Sequence, residues 1–341
     1  MPPLVTVIIL NWNGRHYLAP CLDALEAQTF RDFEIVLVDN GSVDGSVELL
    51  RSAYPNARLM INRDNVGFAA GNNQAVRATH SAFVATLNND TQVEPGWLAA
   101  LVEAMESDAR VGMCASKMLF AHRRDMINSA GISADRAGIA WDRLGGARDD
   151  LKAAAPEPIF GPCAGAALYR RAMLDEVGLF DEDFFAYLED VDLAWRAQLA
   201  GWHALYVPLA RVYHHHSGTA GEGSPLKNRL LGRNKVWTIV KDYPLPHLLW
   251  YLPIILSYDL AAVMYAVVRQ RDVSPLSGRL AALRGIPGML RRRRKIQQEK
   301  RISSGELLRL LDPLSPPWRV PERYTHLKPA TRTTPAPPSE T

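Results

Sequence analysis

Ala82-Phe83-Val84-Ala85-Thr86-Leu87-Asn88-Asn89-Asp90-Thr91 decides how this chain is read. An apolar, partly β-branched run ends abruptly in three polar residues, and Pro95-Gly96-Trp97-Leu98 then opens a helix. The pattern predicts a buried strand whose carboxyl end carries amides and a carboxylate. That end of a strand is where open α/β sheets bind ligands. A carboxylate there can hold a hard divalent cation, which in turn grips phosphate oxygens. The competing reading is a plain polar turn, since Asn and Asp both favour turns.

The same punctuation recurs towards the N-terminus. Residues 4–10 read as a strand ending at Asn11-Trp12-Asn13-Gly14, and residues 33–38 as a second ending at Asp39-Asn40-Gly41-Ser42. A third, 57–61, runs into the polar and glycine-rich residues 62–73. Between them lie helical segments at 17–27, with Leu18, Leu22 and Leu25 on one face, at 47–53, and at 74–79. Ser42 or Asp44 is suited to cap the second of these. Alternating strands and helices predict an α/β fold, a parallel sheet with helices on both faces. No GxGxxG follows the first strand and no Walker GK[ST] occurs, which argues against a dinucleotide oxidoreductase and a P-loop NTPase.

Downstream, 98–105 reads as a helix and 111–119 as a strand. Residues 125–158, rich in Gly, Ala and Asp, are expected to form an irregular, mobile excursion over the site. Residues 161–170 return to small side chains, which suit either close approach of a ligand or tight packing of two elements. Glu189, Asp190 and Asp192 open a helix beside Phe184, Phe185, Tyr187 and Trp195. Acids at a helix N-terminus are favoured by its dipole. Three of them in four residues also repel, and partial burial tunes one carboxylate into a general base. Two short strands, 204–207 and 210–213, lead to His214-His215-His216, where His214 and His216 point the same way in an extended chain and face a cation or a diphosphate.

Composition sets the outer bounds. The chain has 341 residues, 48% hydrophobic and 22% charged, which is ordinary for one large or two smaller globular domains. A net charge of +3 is too small to imply nucleic acid as a partner. Cys21, Cys114 and Cys163 are scattered, form no metal-site spacing and suggest a reducing compartment. The short apolar run after Met1-Pro2-Pro3 lacks a basic leader and reads as the first strand.

In order along the chain stand Val-Ile-Ile-Leu-Asn-Trp-Asn-Gly, Val-Asp-Asn-Gly-Ser-Val-Asp-Gly-Ser, Asn-Val-Gly-Phe-Ala-Ala-Gly-Asn-Asn, Leu-Asn-Asn-Asp, Glu-Asp-Val-Asp-Leu-Ala-Trp-Arg and His-His-His-Ser-Gly. As an ordered set, from Leu4 to Gly218, they resemble family 2 glycosyltransferases of the GT-A fold, especially the bacterial rhamnosyltransferase-like branch. The resemblance implies inverting transfer from a nucleoside-diphosphate sugar, with a divalent cation, Mg2+ or Mn2+, as cofactor. It makes Asp39 the acid that binds the pyrimidine base, and Asn65, Gly67 and Gly71 the loop lining the nucleotide pocket, beside Asn11. Asp90 matches the last acid of the family's Asp-X-Asp metal motif. Asn88 replaces the first acid, which keeps a hydrogen bond to a ribose and removes one charge from the metal site. Asp190 matches the catalytic base, with Glu189 positioning the acceptor. His214 or His216 matches the histidine on the metal or diphosphate. The chemistry agrees, because inversion needs a base opposite the leaving group and no protein nucleophile. Two alternatives are a sugar-nucleotide-binding module without catalysis and a nucleotidyltransferase. The intact Glu189-Asp190 opposes the first, and Asn11-Trp12-Asn13-Gly14 is not the Gly-rich basic loop the second requires.

The remainder divides the chain into a catalytic domain over 1–218, a helical region over 219–330 and a disordered tail over 331–341. Residues 226–243 read as a basic amphipathic helix. The apolar run 248–268 is long enough to span a bilayer, though Pro253 and Asp259 interrupt it. It is an interfacial segment, a span, or a helix buried on the catalytic domain; membrane association is favoured. Arg291-Arg292-Arg293-Arg294-Lys295 suits anionic lipid on the cytoplasmic face of an inner membrane. A glycan or lipid-linked acceptor of the cell envelope is expected.

Overall fold

The computed structural model describes residues 2–149, 155–215 and 224–316. The N-terminal half alternates strand and helix: β1 (Val5–Asn11), α1 (Arg15–Glu26), β2 (Phe33–Asp39), α2 (Ser46–Ala53), β3 (Arg58–Ile61), α3 (Gly67–Arg77) and β4 (Phe83–Asn88). There follow β5 (Thr91–Val93), α4 (Trp97–Glu106), β6 (Val111–Phe120), β7 (Arg123–Ser129), β8 (Ile132–Ala134), β9 (Ala140–Asp142), β10 (Glu157–Ile159), β11 (Ala166–Arg170) and α5 (Arg171–Val177). A 3-10 turn, Glu182–Phe184, leads into α6 (Glu189–Leu199) and β12 (His203–His214). Helices α7 (Pro225–Asp242), α8 (Leu245–Tyr265), α9 (Ser274–Gln298) and α10 (Ser304–Leu310) complete the described chain.

Strands β3, β2, β1 and β4 pair in parallel, in that order. The antiparallel β11 joins β4 to β6, and β6 continues in parallel to β12. The alternation along β1 explains why both faces are covered. Ile8 packs on one side with Ala69, Ala75 and Val76 of α3. Val5, Val7 and Ile9 pack on the other with Leu18, Leu22 and Leu25 of α1. In register, Asn11 stands opposite Asp39 and Leu10 opposite Asn88, so the polar ends of β1, β2 and β4 share one edge. This edge, between β1 and β4, is where the strand order reverses.

Several sequence expectations need correction. Helix α3 starts at Gly67, not Gln74, so both Gly67 and Gly71 are helical. Gly71 lies where the helix meets the Leu10 side chain, and any Cβ there would clash with it. Residues 125–158 are not an irregular excursion in their described part: β7 pairs with β6, β8 with β9, and β10 with β12. The two strands expected over 204–213 are one, β12, with a register shift between Val207 and Arg211. No side chain caps α2, whose N-cap is Gly45. Asp44 instead joins two helix starts, accepting from Ser46 N at 3.1 Å and Arg15 N at 2.9 Å.

In the C-terminal helices, Asp259 is no loose charge in an apolar run. It takes Arg279 through two hydrogen bonds of 2.6 Å and Lys235 at 3.1 Å, tying α8 to α9 and α7. The exposed side of α8 carries an apolar stripe at helical spacing, Leu245, Leu249, Leu252, Leu256, Leu260 and Met264. Trp250 beside it is 79% exposed. The basic cluster on α9 is not wholly turned to solvent. Arg292 bonds Asp181 at 2.8 Å and Asp183 at 2.6 Å, and Arg293 donates to Val240 O at 2.9 Å. The tail expected from Thr331 lies outside the described residues.

Candidate active site

The strand-end polar residues form one hydrogen-bonded set around Asn11. Its amide donates to Asp39 Oδ1 at 2.9 Å and to Ser42 Oγ at 3.1 Å, and its carbonyl oxygen accepts from Asn89 Nδ2 at 2.7 Å. Asp39 is fully buried, and its second oxygen accepts from Ser42 N at 2.9 Å. The sheet edge is thereby rigid before any ligand arrives. Asn65 Oδ1 accepts from Gly67 N at 2.9 Å and from Asn40 Nδ2 at 3.2 Å, which fixes the turn into α3. Gly67 has φ +86°, and a Cβ there would lie 2.5 Å from the Phe185 ring. Its bare backbone lets the loop before α6 close onto the nucleotide-loop residues, where Ala69 N donates to Phe185 O at 3.1 Å.

Beyond Asn88 the chain turns, and Asp90 meets the end of β12. His214 Nε2 lies 3.2 Å from Asp90 Oδ1, and both side chains are buried. The other ring nitrogen, Nδ1, is 2.7 Å from Asn128 Oδ1 on β7. The ring thus sets one nitrogen against an amide oxygen and the other against a carboxylate, and a neutral ring that donates to Asn128 would turn its Nε2 lone pair to Asp90. Asn88 Nδ2, 3.5 Å from the same nitrogen, completes the group. Among the described residues no three His, Cys, Asp or Glu side chains converge, and this edge brings together one carboxylate and one imidazole. That donor set fits a cation that takes its other ligands from substrate phosphates and water. His216 lies outside the described residues.

Glu189 and Asp190 open α6 at the same edge. Asp190 Oδ2 accepts from Ala164 N at 3.1 Å and Oδ1 from Val191 N at 2.8 Å. Burial pushes its carboxyl up to about 6, against the pull of those two N–H groups and helped by the charge of Asp142. Burial, then the neighbouring Asp190 charge, holds Glu189 well above the usual carboxylate range. One buried Glu189 oxygen, Oε2, accepts no hydrogen bond from the described residues. Burial thus raises both carboxyls of the pair, the kind of setting in which acid–base roles are assigned.

The backbone leading to this pair is strained. Phe185, Tyr187 and Leu188 have φ of +65°, +69° and +66°, which each cost about 1–3 kcal/mol. Ala186 N donates to Phe184 O at 2.8 Å, so Phe185 is the centre of a strained γ-turn. Asp192, one turn into α6, is fully buried and bonds Arg196 at 2.8 Å and Lys241 of α7. Lys241 also holds Asp181 at 2.6 Å. Despite burial, the Lys241 and Arg196 charges keep the Asp192 carboxyl below its ordinary range. It is thus an anchor between α6 and α7, more than the helix-turn acid that its place in the sequence suggests.

The structure therefore gathers Asn11, Asp39, Asn88, Asp90 and His214 at one sheet edge, with Asn65, Gly67 and Gly71 in and before α3 beside it. Sequence reasoning missed Asn128, Asn234, Lys241 and Asp142. None offered a signal: Asn128 lies in Arg-Arg-Asp-Met-Ile-Asn-Ser, a stretch with no alternation for a polar residue to interrupt.

An open α/β sheet whose polar strand ends and Asp–His pair gather at its switch point is the architecture of GT-A-like proteins. The chain belongs to glycosyl transferase family 2, whose model matches residues 6–178. It is 28% identical over 247 residues to the N-acetylglucosaminyl-diphospho-decaprenol L-rhamnosyltransferase of Mycobacterium tuberculosis (strain CDC 1551 / Oshkosh), covering 65% of this chain and 79% of that protein. Among solved structures, GalNAc-T7 with UDP, GalNAc and Mn2+ superposes with a TM-score of 0.56 at 16% identity, over 70% of this chain and 48% of that one. The mannosyltransferase PcManGT of Pyrobaculum calidifontis, with GDP-Man and Mn2+, gives 0.51 at 17% identity, over 88% and 86%. At these identities the two structures speak for the fold.

Proposed function

We propose that this protein is an inverting, cation-dependent transferase that moves a sugar, rhamnose first among those to test, from a nucleoside diphosphate to a hydroxyl of a lipid-linked cell-envelope glycan. The observation that carries this is the Asp190 carboxyl, clamped by Ala164 N and Val191 N and raised to about 6. A base of that strength is deprotonated at neutral pH yet strong enough to take a proton as the acceptor oxygen attacks. Glu189, its carboxyl raised by burial, orients the acceptor by hydrogen bonding. Asn11, Asn65, Gly67, Gly71 and Asn88 shape the nucleotide pocket, with Asp39 acting through its hold on Asn11. Asp90 and His214 would hold Mg2+ or Mn2+, which supplies charge neutralisation of the diphosphate leaving group when bound. Asn128 fixes the ring that does so.

The catalytic domain ends near residue 218, and the helices beyond it attach the protein to the cytoplasmic face of the inner membrane. The exposed stripe of α8 supports this, as do the ion pairs of Asp259, which tie the helix to α7 and α9 while the stripe stays uncovered. The name of the mycobacterial relative motivates both the donor and the acceptor class. Incubating the purified protein with dTDP-, UDP- and GDP-sugars and lipid-linked acceptor, with capture of the product, tests the proposal. Transfer from dTDP-rhamnose with inverted configuration supports it. Transfer from none of the donors, with nucleotide still bound, refutes it in favour of a binding module.

A further inference from the structure

We propose that Asn234, on α7 and outside the segment matched by the family model, is a positioning residue for the base: it clamps the left-handed turn that presents Asp190. The inference rests on the base assignment above. Asn234 is fully buried. Its Nδ2 lies 2.7 Å from Tyr187 O, 2.9 Å from Ala186 O and 3.0 Å from Phe184 O. One amide group thus gathers three carbonyls of the turn in which Phe185, Tyr187 and Leu188 all have positive φ. Its orientation is fixed, because Arg233 Nε donates to Asn234 Oδ1 at 2.9 Å. A flipped amide would set its oxygen against three carbonyl oxygens. Arg233 reinforces the clamp by donating to Asp183 O at 2.9 Å and Phe184 O at 2.8 Å.

Residues other than glycine persist in this backbone region only where their surroundings hold them there. The turn has little else to do so from within: Leu188 is the N-cap of α6 and uses no side-chain cap. Glu189 and Asp190 follow it directly, so any relaxation of the turn moves the carboxylate from the acceptor. Lys241, seven residues along the same helix face, binds Asp192 and holds α6 from the other side. The base is therefore located by a helix that comes from the C-terminal region, while the nucleotide residues belong to the N-terminal sheet. Loss of the clamp should slow the chemical step and leave donor binding alone.

The test compares full-length wild type with Asn234→Asp, which keeps size and removes both donors, and with Asn234→Ser, which keeps one. Donor affinity is measured by calorimetry, and turnover per folded enzyme across pH. We expect Asn234→Asp to lower kcat by about 10²-fold, the cost of an ångström of misplacement, with donor affinity and donor KM unchanged. Asn234→Ser falls between it and wild type, and decides the matter where Asn234→Asp does not fold. The acid limb of the kcat profile moves down from about 6 as Asp190 gains water. A residue that only stabilises the fold would lower the folded fraction and leave kcat per folded molecule and the acid limb in place; that result overturns the proposal. Asp190→Asn, run in parallel, separates the two claims. If it is inactive while both Asn234 variants turn over normally, the clamp alone is wrong. If Asp190→Asn is active, the base assignment fails and takes the clamp with it.

Discussion

His214 Nε2 stands 3.2 Å from Asp90 Oδ1, while its Nδ1 stands 2.7 Å from Asn128 Oδ1. Asp90 ends the turn after β4 and His214 ends β12, so the sheet itself brings the pair together. The Asn128 contact orients the ring so that Nε2 faces the Asp90 carboxylate.

Asn128→Ala should therefore lower cation affinity about 10- to 100-fold without removing a ligand. Asp90→Ala and His214→Ala should abolish activity and cation-dependent nucleotide binding together. Mn2+ titration of nucleotide binding measures all three. Full activity in EDTA would remove the cation from the account.

Glu189→Gln should cost little turnover, because glutamine keeps the shape and can still donate a hydrogen bond to the acceptor. The raised pKa of Glu189 contributes stability that is fully present below the ordinary glutamate value of 4.5 and is lost as pH rises through the folded value. The glutamine variant lacks that dependence. Its unfolding midpoint should fall less than that of wild type as pH is raised. A variant as inactive as Asp190→Asn would show that the two roles are exchanged.

Asp192→Asn should act mainly on stability. It leaves Arg196 and Lys241 buried beside a neutral side chain, a loss of about 3–5 kcal/mol by urea unfolding. The lowered Asp192 pKa means that its stabilisation is present above the ordinary aspartate value of 3.8 and is lost as pH falls through the folded value. The stability gap between wild type and variant should close in acid. A gap independent of pH would contradict the ion-pair account.

Leu256→Glu with Leu260→Glu should weaken flotation with anionic vesicles, since both side chains are exposed on α8 and neither touches the catalytic half. Wild type should float, and less so with zwitterionic lipid. Wild-type protein that stays with the aqueous fraction on both vesicles contradicts membrane attachment.

The sheet was legible because β1, β2 and β4 are apolar runs that stop at polar residues, and burial on both faces leaves that trace in any sequence. Asn11, Asp39, Asn88 and Asp90 were legible for the same reason. Asn128 and Asn234 were not, since each is a single polar residue whose partners lie 86 and about 50 positions away. Gly67 and Gly71 were expected in a loop ahead of a helix at Gln74, whereas α3 begins at Gly67, and Phe185 and Leu10 leave no room for a Cβ at either position. The segment after Phe120 looked irregular because β8, β9 and β10 have three residues each, too few for a period to register.

The central claim is that Asp190 is the base, and turnover of Asp190→Asn with donor binding measured on the same preparation tests it most directly. The substitution keeps shape and, through the amide oxygen, one of the two backbone hydrogen bonds, and it removes basicity. The account predicts donor affinity near that of wild type and a fall in kcat of about two to four powers of ten. It also predicts loss of the wild-type acid limb near 6 from whatever turnover remains. An Asp190→Asn protein that binds donor and retains most of its kcat would contradict it.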